Sequence, residues 1–261
     1  MPDQPLPSTN STLNNDLDIG SASDVGRVRE ANEDAWLTLE PDGARSGQML
    51  VAVADGMGGH QAGEVASALA IESLTDAINT VESTASAEDL LMHAIELANR
   101  TIWEAAANDP AKEGMGTTMV CALVGADGQV SIANVGDSRA YTFSDGRAAL
   151  VTSDHTWVNQ QVLSGQMTEK EARTSPFRNL LTRSLGNAPR VDMDLFALAL
   201  GVGDALVLVS DGVTGYLDEG DVASVLRHTA TAQEAAERLV TEAVNRGGAD
   251  NATAVVVRRR L

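Results

Sequence analysis

The stretch Met49-Leu50-Val51-Ala52-Val53-Ala54-Asp55-Gly56 runs from a block of apolar residues directly into a carboxylate and a glycine. A continuous apolar run that ends at a turn signal predicts a strand buried in a core. The end of such a strand would hold the Asp55 carboxylate rigidly at the edge of a sheet. The glycine that follows lets the backbone turn tightly or bring its own carbonyl to a ligand.

Three other aspartates lie in comparable surroundings. Asp137 and Asp211 close the apolar runs 132–136 and 206–210, and Asp250 follows Gly248-Ala249. Each is therefore expected to end a strand, as Asp55 does. Carboxylates gathered from distant parts of a sequence favour a site for hard cations, which prefer oxygen ligands.

Composition limits the classes of protein that the chain can belong to. Its 261 residues suit one large domain or two small ones, and a hydrophobic content of 43% supplies a core. The net charge of −19 argues against nonspecific binding to nucleic acid or to an anionic membrane. The single Cys121 excludes an internal disulfide, and no membrane span or signal peptide is evident. We therefore expect a cytoplasmic protein.

The order of the elements predicts the fold class. Residues 1–16 are rich in Pro, Ser, Thr and Asn and predict a flexible tail before one domain over 17–261. Helical spacing of apolar residues predicts helices over 70–81, 91–105 and 231–243, the second with a capping box at Ser86. Strands outnumber these helices without regular alternation, which favours an α+β fold with helices covering antiparallel sheets. The predicted strands are 35–39, 49–54, 118–124, 130–134, 139–142, 205–210 and 253–257.

Residues 154–189 do not fit a compact core. The segment is polar and helical in character, with a helix start at Thr168. An excursion of this kind between strands is more often a lid or a recognition element than a structureless loop.

Arg29 lies among acidic residues in the segment Arg29-Glu30-Ala31-Asn32-Glu33-Asp34. A surface ion pair is the simplest interpretation of an arginine in this setting. Beside a carboxylate cluster that holds metal, a phosphate site becomes the better one, because the planar guanidinium suits bidentate binding of phosphate. Two divalent ions bridged by a carboxylate can bind a phosphoryl oxygen, lower the pKa of bound water and direct an in-line attack.

Seven short motifs combine acidic residues with glycine or small hydroxyl residues: Arg29-x-x-Asn32-Glu33-Asp34, Ala54-Asp55-Gly56-Met57-Gly58-Gly59-His60, Gly116-Thr117-Thr118, Val135-Gly136-Asp137-Ser138-Arg139, Thr152-Ser153-Asp154-His155, Ser210-Asp211-Gly212 and Ala249-Asp250-Asn251-Ala252-Thr253. In this order they resemble the motifs of the PP2C-type (PPM) protein phosphatases, and the compact bacterial members in particular. The resemblance covers about residues 18–257. It implies a β-sandwich of two antiparallel sheets flanked by helical layers, and metal-dependent hydrolysis of phosphoserine and phosphothreonine in proteins.

The resemblance also implies a binuclear Mn²⁺ or Mg²⁺ centre. Asp55 would bridge the two ions, and Gly56 would offer its backbone carbonyl. Asp211 and Asp250 would complete the first metal site, whereas Asp34 would hold waters on the second ion.

Other residues would serve a weaker third metal site or the substrate. Asp137 would contribute to the third site, and Arg29 would bind the substrate phosphate. Many eukaryotic members of the family have histidine directly after the first Asp-Gly as a proton donor, but this chain has Met57 there. A thioether cannot donate a proton, so His60 is expected to position substrate or bind solvent. Residues 154–189 would contain the family's flap.

Phosphorylated proteins are the expected partners of a monomeric enzyme, among them a bacterial Hanks-type serine/threonine kinase or its targets. Two alternatives stay open. A pseudophosphatase that only binds would lack a metal aspartate, yet all of them are present. A different two-metal hydrolase is the second alternative. A nuclease would need a basic groove, which a net charge of −19 opposes, whereas a phosphatase of small phosphoesters would use the same metal chemistry.

Overall fold

Eleven strands, seven α-helices and two short 3₁₀-helices form the part of the chain that the computed structural model describes, residues 16–59, 62–80 and 84–260. The tail predicted over 1–16 lies outside these ranges, apart from Asp16, and stays a prediction. The strands are β1 (Leu17–Asp24), β2 (Asp34–Leu39), β3 (Gln48–Met57), β4 (Gly116–Thr117), β5 (Met119–Gly125), β6 (Gln129–Val135), β7 (Arg139–Ser144), β8 (Arg147–Leu150), β9 (Asp194–Ala199), β10 (Ala205–Val209) and β11 (Ala252–Arg259). The helices are α1 (Ala62–Thr80), α2 (Ala87–Asn108), α3 (Trp157–Leu163), α4 (Glu169–Thr174), α5 (Asp211–Thr214), α6 (Glu219–Arg227) and α7 (Ala232–Arg246), and the 3₁₀-helices are Gly43–Arg45 and Pro110–Lys112.

The strands build two sheets whose pairings are all antiparallel. The first sheet has the order β1-β11-β10-β7-β8, and the second has the order β2-β3-β5-β6-β9, with β4 beside β3. The sheets pack face to face through buried apolar side chains, including Val51 and Val53 of β3 and Leu206 and Leu208 of β10. The predicted sandwich of two antiparallel sheets is confirmed.

Helices cover the outer face of each sheet. Helices α1 and α2 pack on the second sheet against Leu50, Ala52 and Ala54 of β3. Helices α6 and α7 pack on the first sheet against Val207 and Val209 of β10. Side chains alternate between the two faces of a strand, so β3 and β10 are apolar at successive positions because both of their faces are buried. The predicted helical layers are confirmed. No helix in the described ranges is long and apolar enough to cross a membrane.

The predicted helices are present as α1, α2 and α7, and α2 begins at the predicted capping box of Ser86. Strands β1, β8 and β9 and helix α6 are not predicted from the sequence. All three strands lie at or next to sheet edges, where their burial is partial, as in the alternating half-buried and exposed residues of β9. A strand with one covered face needs few apolar residues, so its pattern is weak.

The predicted excursion leaves the body of the molecule between β8 and β9 and carries α3 and α4. Helix α4 begins at the predicted start, with a capping box between Thr168 and Glu171. The rings of Trp157 and Phe177 pack edge to face with their centroids 5.5 Å apart. The segment therefore has secondary structure and a small packing contact of its own, and we call residues 156–181 the flap.

A short antiparallel neck closes the flap. Trp157 N–H donates to the carbonyl of Leu180 at 2.8 Å, and Thr182 N–H donates to the carbonyl of His155 at 2.8 Å. The last residues of the predicted segment 154–189 already belong to the core, because Leu185 is fully buried. The excursion is consequently shorter than the sequence indicated.

Candidate functional site

The strand registers bring five predicted aspartates to the same region of the sandwich. Asp34 begins β2 and lies opposite Asp55 in β3, because these strands pair antiparallel in that register. In the first sheet, Asp211 follows β10 and Asp250 precedes β11, and the pairing of these strands places the end of β10 beside the start of β11. Asp137 lies in the turn between β6 and β7. We call these five residues the acidic cluster.

Asp250 differs from the sequence expectation in one respect. It lies before a strand, whereas it was expected to end one, so that expectation is wrong. Asp250 still lies beside Asp211, because β11 is antiparallel to β10 and starts at the edge of the sheet where β10 ends.

Burial and the charges of neighbouring aspartates raise the pKa values of Asp34, Asp55, Asp137 and Asp211. Burial, together with nearby aspartates, raises the pKa of Asp34 to about 7 and that of Asp137 to about 8. Burial, followed by the charge of Asp34, raises the pKa of Asp55 well above its ordinary value. Burial and the charge of Asp250 raise the pKa of Asp211. Such groups can all be ionised together only if positive charge compensates them.

Asp34 has one oxygen with hydrogen-bond donors and one without. Its Oδ2 accepts from the hydroxyl of Ser210 at 2.8 Å and from the hydroxyl of Thr253 at 2.6 Å. Its Oδ1 is buried and has no hydrogen-bond partner among the described residues. A buried carboxylate oxygen without a donor is costly unless a cation or water lies beside it. The donor chemistry of the acidic cluster therefore fits hard divalent cations.

The side chains do not yet define a coordination geometry. Across residues 16–59, 62–80 and 84–260, no three Asp, Glu, His or Cys side chains converge in an arrangement that would hold a metal ion as they stand. Like charges repel one another, and a cation between these oxygens would offset that repulsion. The fit to metal accordingly rests on the chemistry and burial of the cluster.

Two threonines hold the backbone around Asp55. The Asp55 N–H donates to Thr118 Oγ1 at 3.0 Å. The Asp55 carbonyl accepts from the Thr118 N–H and from the Thr117 hydroxyl, both at 2.9 Å. Gly56 follows in a crowded position, where a Cβ would collide with the backbone of Gly63. Glycine is thus required at this position for a steric reason, and the predicted role of its carbonyl toward a metal ion stays a prediction.

Arg29 lies between β1 and β2, beside the acidic cluster. Its Nη2 donates to Asp250 Oδ2 at 2.8 Å, and its Nη1 lies 3.8 Å from Glu33 Oε2. The hydrogen bond to Asp250 raises the pKa of the guanidinium. The side chain is 47% exposed, so the ion pair leaves donors facing solvent. Both interpretations of Arg29 therefore have support: it forms an ion pair, and it can still receive an anion.

A cleft of about 650 Å³ separates the flap from the body. Asp137 and Asp211 line the cleft from the body, and Arg178 and Asn179 line it from the flap. The acidic cluster therefore opens toward the flap, where a bound protein could contact both.

Some site residues are not assigned a role by the sequence. The motifs that contain Asp34, Asp55 and Asp211 or lie near them also contain Ser210, Thr253 and Thr118, and this position could have indicated a role for them. Their hydrogen bonds to Asp34 and Asp55 are visible only in the structure. His60 lies outside the described residues, so its predicted role stays a prediction.

The chain is similar to known proteins over most of its length. Residues 27–247 match the protein phosphatase 2C family. The serine/threonine phosphatase stp of Listeria innocua is 37% identical over 242 residues, which are 92% of this chain and 94% of that protein. The S. agalactiae serine/threonine phosphatase has a TM-score of 0.87 and 36% identity, covering 94% of this chain and 100% of that one. The catalytic domain of the phosphatase PstP, in complex with two manganese ions, has a TM-score of 0.79 and 32% identity, covering 94% and 99%.

Proposed function

The chain belongs to the protein phosphatase 2C family, and on that premise we propose that the acidic cluster is the metal centre of a protein serine/threonine phosphatase. The observation that carries this proposal is a cluster of carboxylates whose pKa values are raised by burial and by neighbouring aspartates, with one buried oxygen of Asp34 that lacks any donor among the described residues. A buried cluster of this kind is unstable as a set of anions and is stabilised by divalent cations.

Mn²⁺ or Mg²⁺ bound here would supply polarisation of a phosphoryl oxygen and a bound water of lowered pKa. Asp55 would bridge two ions, with Gly56 contributing its backbone carbonyl. Asp211 and Asp250 would complete the first site, and Asp34 would serve the second. The structure of PstP in complex with two manganese ions supports two ions in this chain. Asp137 would join Asp211 in a weaker third site.

The surrounding residues prepare these carboxylates. The Ser210 and Thr253 hydroxyls donate to one oxygen of Asp34, which leaves its other oxygen to face the cations or their waters. Thr118 accepts a hydrogen bond from the Asp55 N–H and donates one to the Asp55 carbonyl. Groups fixed in advance lose little freedom when ions and substrate bind, which favours catalysis.

Arg29 would bind the phosphate of the substrate. Its guanidinium is already oriented by Asp250 and retains exposed N–H donors. Arginine suits this task because its fork matches two phosphate oxygens. The phosphate would then lie between the guanidinium and the acidic cluster, with its phosphorus open to in-line attack by water.

Relatives of the chain are named serine/threonine phosphatase and protein phosphatase, and on this basis we propose phosphorylated proteins as its substrates. The cleft beside the flap supports a protein substrate, because a partner could contact flap and cluster together. Within this class we propose a Hanks-type serine/threonine kinase or its targets, on the resemblance to compact bacterial phosphatases. A monomer, a cytoplasmic location and the substrate-positioning role of His60 stay predictions.

A panel of substrates tests this function against its alternatives. The chain should hydrolyse a phosphothreonine peptide in the presence of Mn²⁺, with far lower kcat/KM for sugar phosphates and none for oligonucleotides. Preference for sugar phosphates would instead indicate a phosphatase of small phosphoesters. Binding of the peptide without turnover, over a full range of Mn²⁺ and Mg²⁺, would indicate a pseudophosphatase.

A further inference from the structure

His155 holds both backbone polar groups of Gly136, the residue directly before Asp137. Its Nδ1 accepts the Gly136 N–H at 3.1 Å. Its own backbone N–H donates to the Gly136 carbonyl at 3.0 Å. The His155 side chain is buried, with a residue exposure of only 5%, so water does not replace these contacts easily.

The turn that carries Asp137 needs support of this kind. Gly136 has a φ of 108°, where a side chain is strained, and a Cβ there would lie 2.6 Å from Thr118. On the other side of Asp137, the hydroxyls of Ser138 and Thr118 are hydrogen-bonded at 2.7 Å. Asp137 therefore lies in a turn whose two neighbouring residues are both fixed by hydrogen bonds. His155 fixes Gly136, and Thr118 fixes Ser138.

The second ring nitrogen of His155 faces the chain that returns from the flap. His155 Nε2 lies 3.2 Å from Asp194 Oδ2, and Arg183 donates to Asp194 Oδ1 at 2.8 Å. Since Nδ1 accepts from a backbone N–H, the proton of the neutral ring lies on Nε2 and is donated to Asp194. Arg183 Nη1, which donates to the same carboxylate, lies 3.1 Å from this nitrogen. The carbonyl of His155 also accepts from Thr182 in the flap neck. One residue therefore contacts the Asp137 turn, β9 and the neck.

We propose that His155 is a positioning residue that sets the Asp137 carboxylate and ties it to the neck of the flap. The effect of His155 on turnover rests on the proposed function. Its support of the turn that carries Asp137 is independent of that function. The hydrogen-bond partners of the His155 side chain are Gly136, Arg183 and Asp194, and none of these belongs to the acidic cluster. His155 acts through Gly136, as outer residues act on the ligands of a metal site.

Two variants of His155 separate its contacts. In His155→Asn, the side-chain oxygen can occupy the position of Nδ1 and still accept from Gly136. In His155→Gln, the amide reaches the position of Nε2 and the contact with Asp194, but the acceptor at Nδ1 is lost. His93→Gln, on the exposed face of α2, is the matched control.

The first measurement is hydrogen exchange at the Gly136 amide in protein without added metal. Loss of a single hydrogen bond of about 1 kcal/mol predicts exchange about fivefold faster in His155→Gln, with His155→Asn and the control close to wild type. Equal protection of Gly136 in the Asn and Gln variants overturns the proposal. This outcome is independent of whether the chain is a phosphatase.

The second measurement is the Mn²⁺ concentration that gives half-maximal hydrolysis of a phosphothreonine peptide, together with Mn²⁺ binding by calorimetry. His155→Gln should need about tenfold more Mn²⁺ and should bind its weakest ion correspondingly less tightly, whereas His155→Asn restores both values. Unchanged Mn²⁺ binding in His155→Gln overturns the effect on Asp137. If His155→Gln does not fold, Asp194→Ala replaces it. That variant removes the acceptor that fixes the tautomer and should speed Gly136 exchange, and wild-type protection would overturn the proposal.

Discussion

At the scale of single residues, the two oxygens of Asp34 show how the fold prepares a carboxylate for a cation. The hydroxyls that hold Oδ2 come from Ser210 and Thr253, which are 176 and 219 residues away along the chain. Oδ1 is left without a donor among the described residues. The sequence indicates Asp34 through its motif. It cannot indicate these partners, because only the packing of the two sheets brings them together.

Thr253→Val tests the orientation of Asp34. Valine has nearly the shape of threonine but cannot donate, so the Asp34 carboxylate loses its 2.6 Å partner. We expect kcat/KM for a phosphothreonine peptide to fall about tenfold, with an increased requirement for Mn²⁺. The control is Thr142→Val on β7, whose hydroxyl makes only a 3.5 Å contact with a backbone carbonyl. Equal activity of both variants would show that the hydroxyl does not orient Asp34.

Arg29→Lys tests the proposed phosphate contact. Lysine keeps the positive charge but not the planar fork, so binding of two phosphate oxygens at once is lost. We expect kcat/KM to fall about tenfold or more. Arg27→Lys is the neighbouring control, because Arg27 bonds to Asn245 and not to the cluster. If the two lysine variants have the same kcat/KM as wild type, Arg29 serves only its ion pair with Asp250.

At the scale of elements, the strands whose position matters most were the easiest to predict. β3 and β10 are buried on both faces, so their sequences are continuous apolar runs that end beside Asp55 and Asp211. The edge strands β1 and β9 are partly exposed and give no such run. Helix α6 was also missed, because its nine residues provide little more than two turns of pattern.

The flap gives a prediction at this scale. Residues 158–179 can be replaced by a short Gly-Ser linker, because the neck hydrogen bond from Trp157 to Leu180 lies outside the deletion. We expect turnover of a phosphoprotein to fall far more than turnover of p-nitrophenyl phosphate, since only the protein reaches the flap. Comparable losses on the two substrates would indicate that the flap supports the metal site or the stability of the fold.

At the scale of the whole molecule, the order of strands and helices in the sequence predicts the fold class. The arrangement of the acidic cluster depends instead on the register between paired strands. A one-residue shift between β2 and β3 would remove Asp34 from its position opposite Asp55. Register depends on packing between elements far apart in sequence. For this reason the sequence could identify the aspartates of the acidic cluster but not their arrangement.

The acidic cluster also makes global stability depend on pH. In the chain without metal, burial raises the pKa of Asp34 to about 7 and of Asp137 to about 8, above the ordinary value near 4 in the unfolded chain. The folded state then binds more protons than the unfolded state, so stability falls as pH rises from about 4 to about 8.

Thermal melting in a chelator should therefore give a midpoint lower by about 5–10 °C at about pH 8 than at about pH 5.5. Mn²⁺ should recover most of this loss at the higher pH, because it binds the ionised carboxylates. Asp137→Asn removes one of the shifted groups and should reduce the pH dependence, which separates the cluster from the general repulsion of a chain with net charge −19. If the melting midpoint of Asp137→Asn depends on pH as strongly as that of wild type, protonation of the acidic cluster does not cause the pH dependence.

Substitution of Asp55 is the sharpest test of the proposed metal centre, since Asp55 lies within that centre and on a buried strand. The measurement is Mn²⁺-dependent hydrolysis of a phosphothreonine peptide by wild type and by Asp55→Asn, with Mn²⁺ binding by calorimetry and thermal melting on the same samples. We predict that Asp55→Asn melts as a folded protein, binds Mn²⁺ much more weakly and has no measurable turnover. Asp211→Asn should behave in the same way. Near-normal turnover by Asp55→Asn at saturating Mn²⁺ would show that the acidic cluster is not the metal centre of the enzyme.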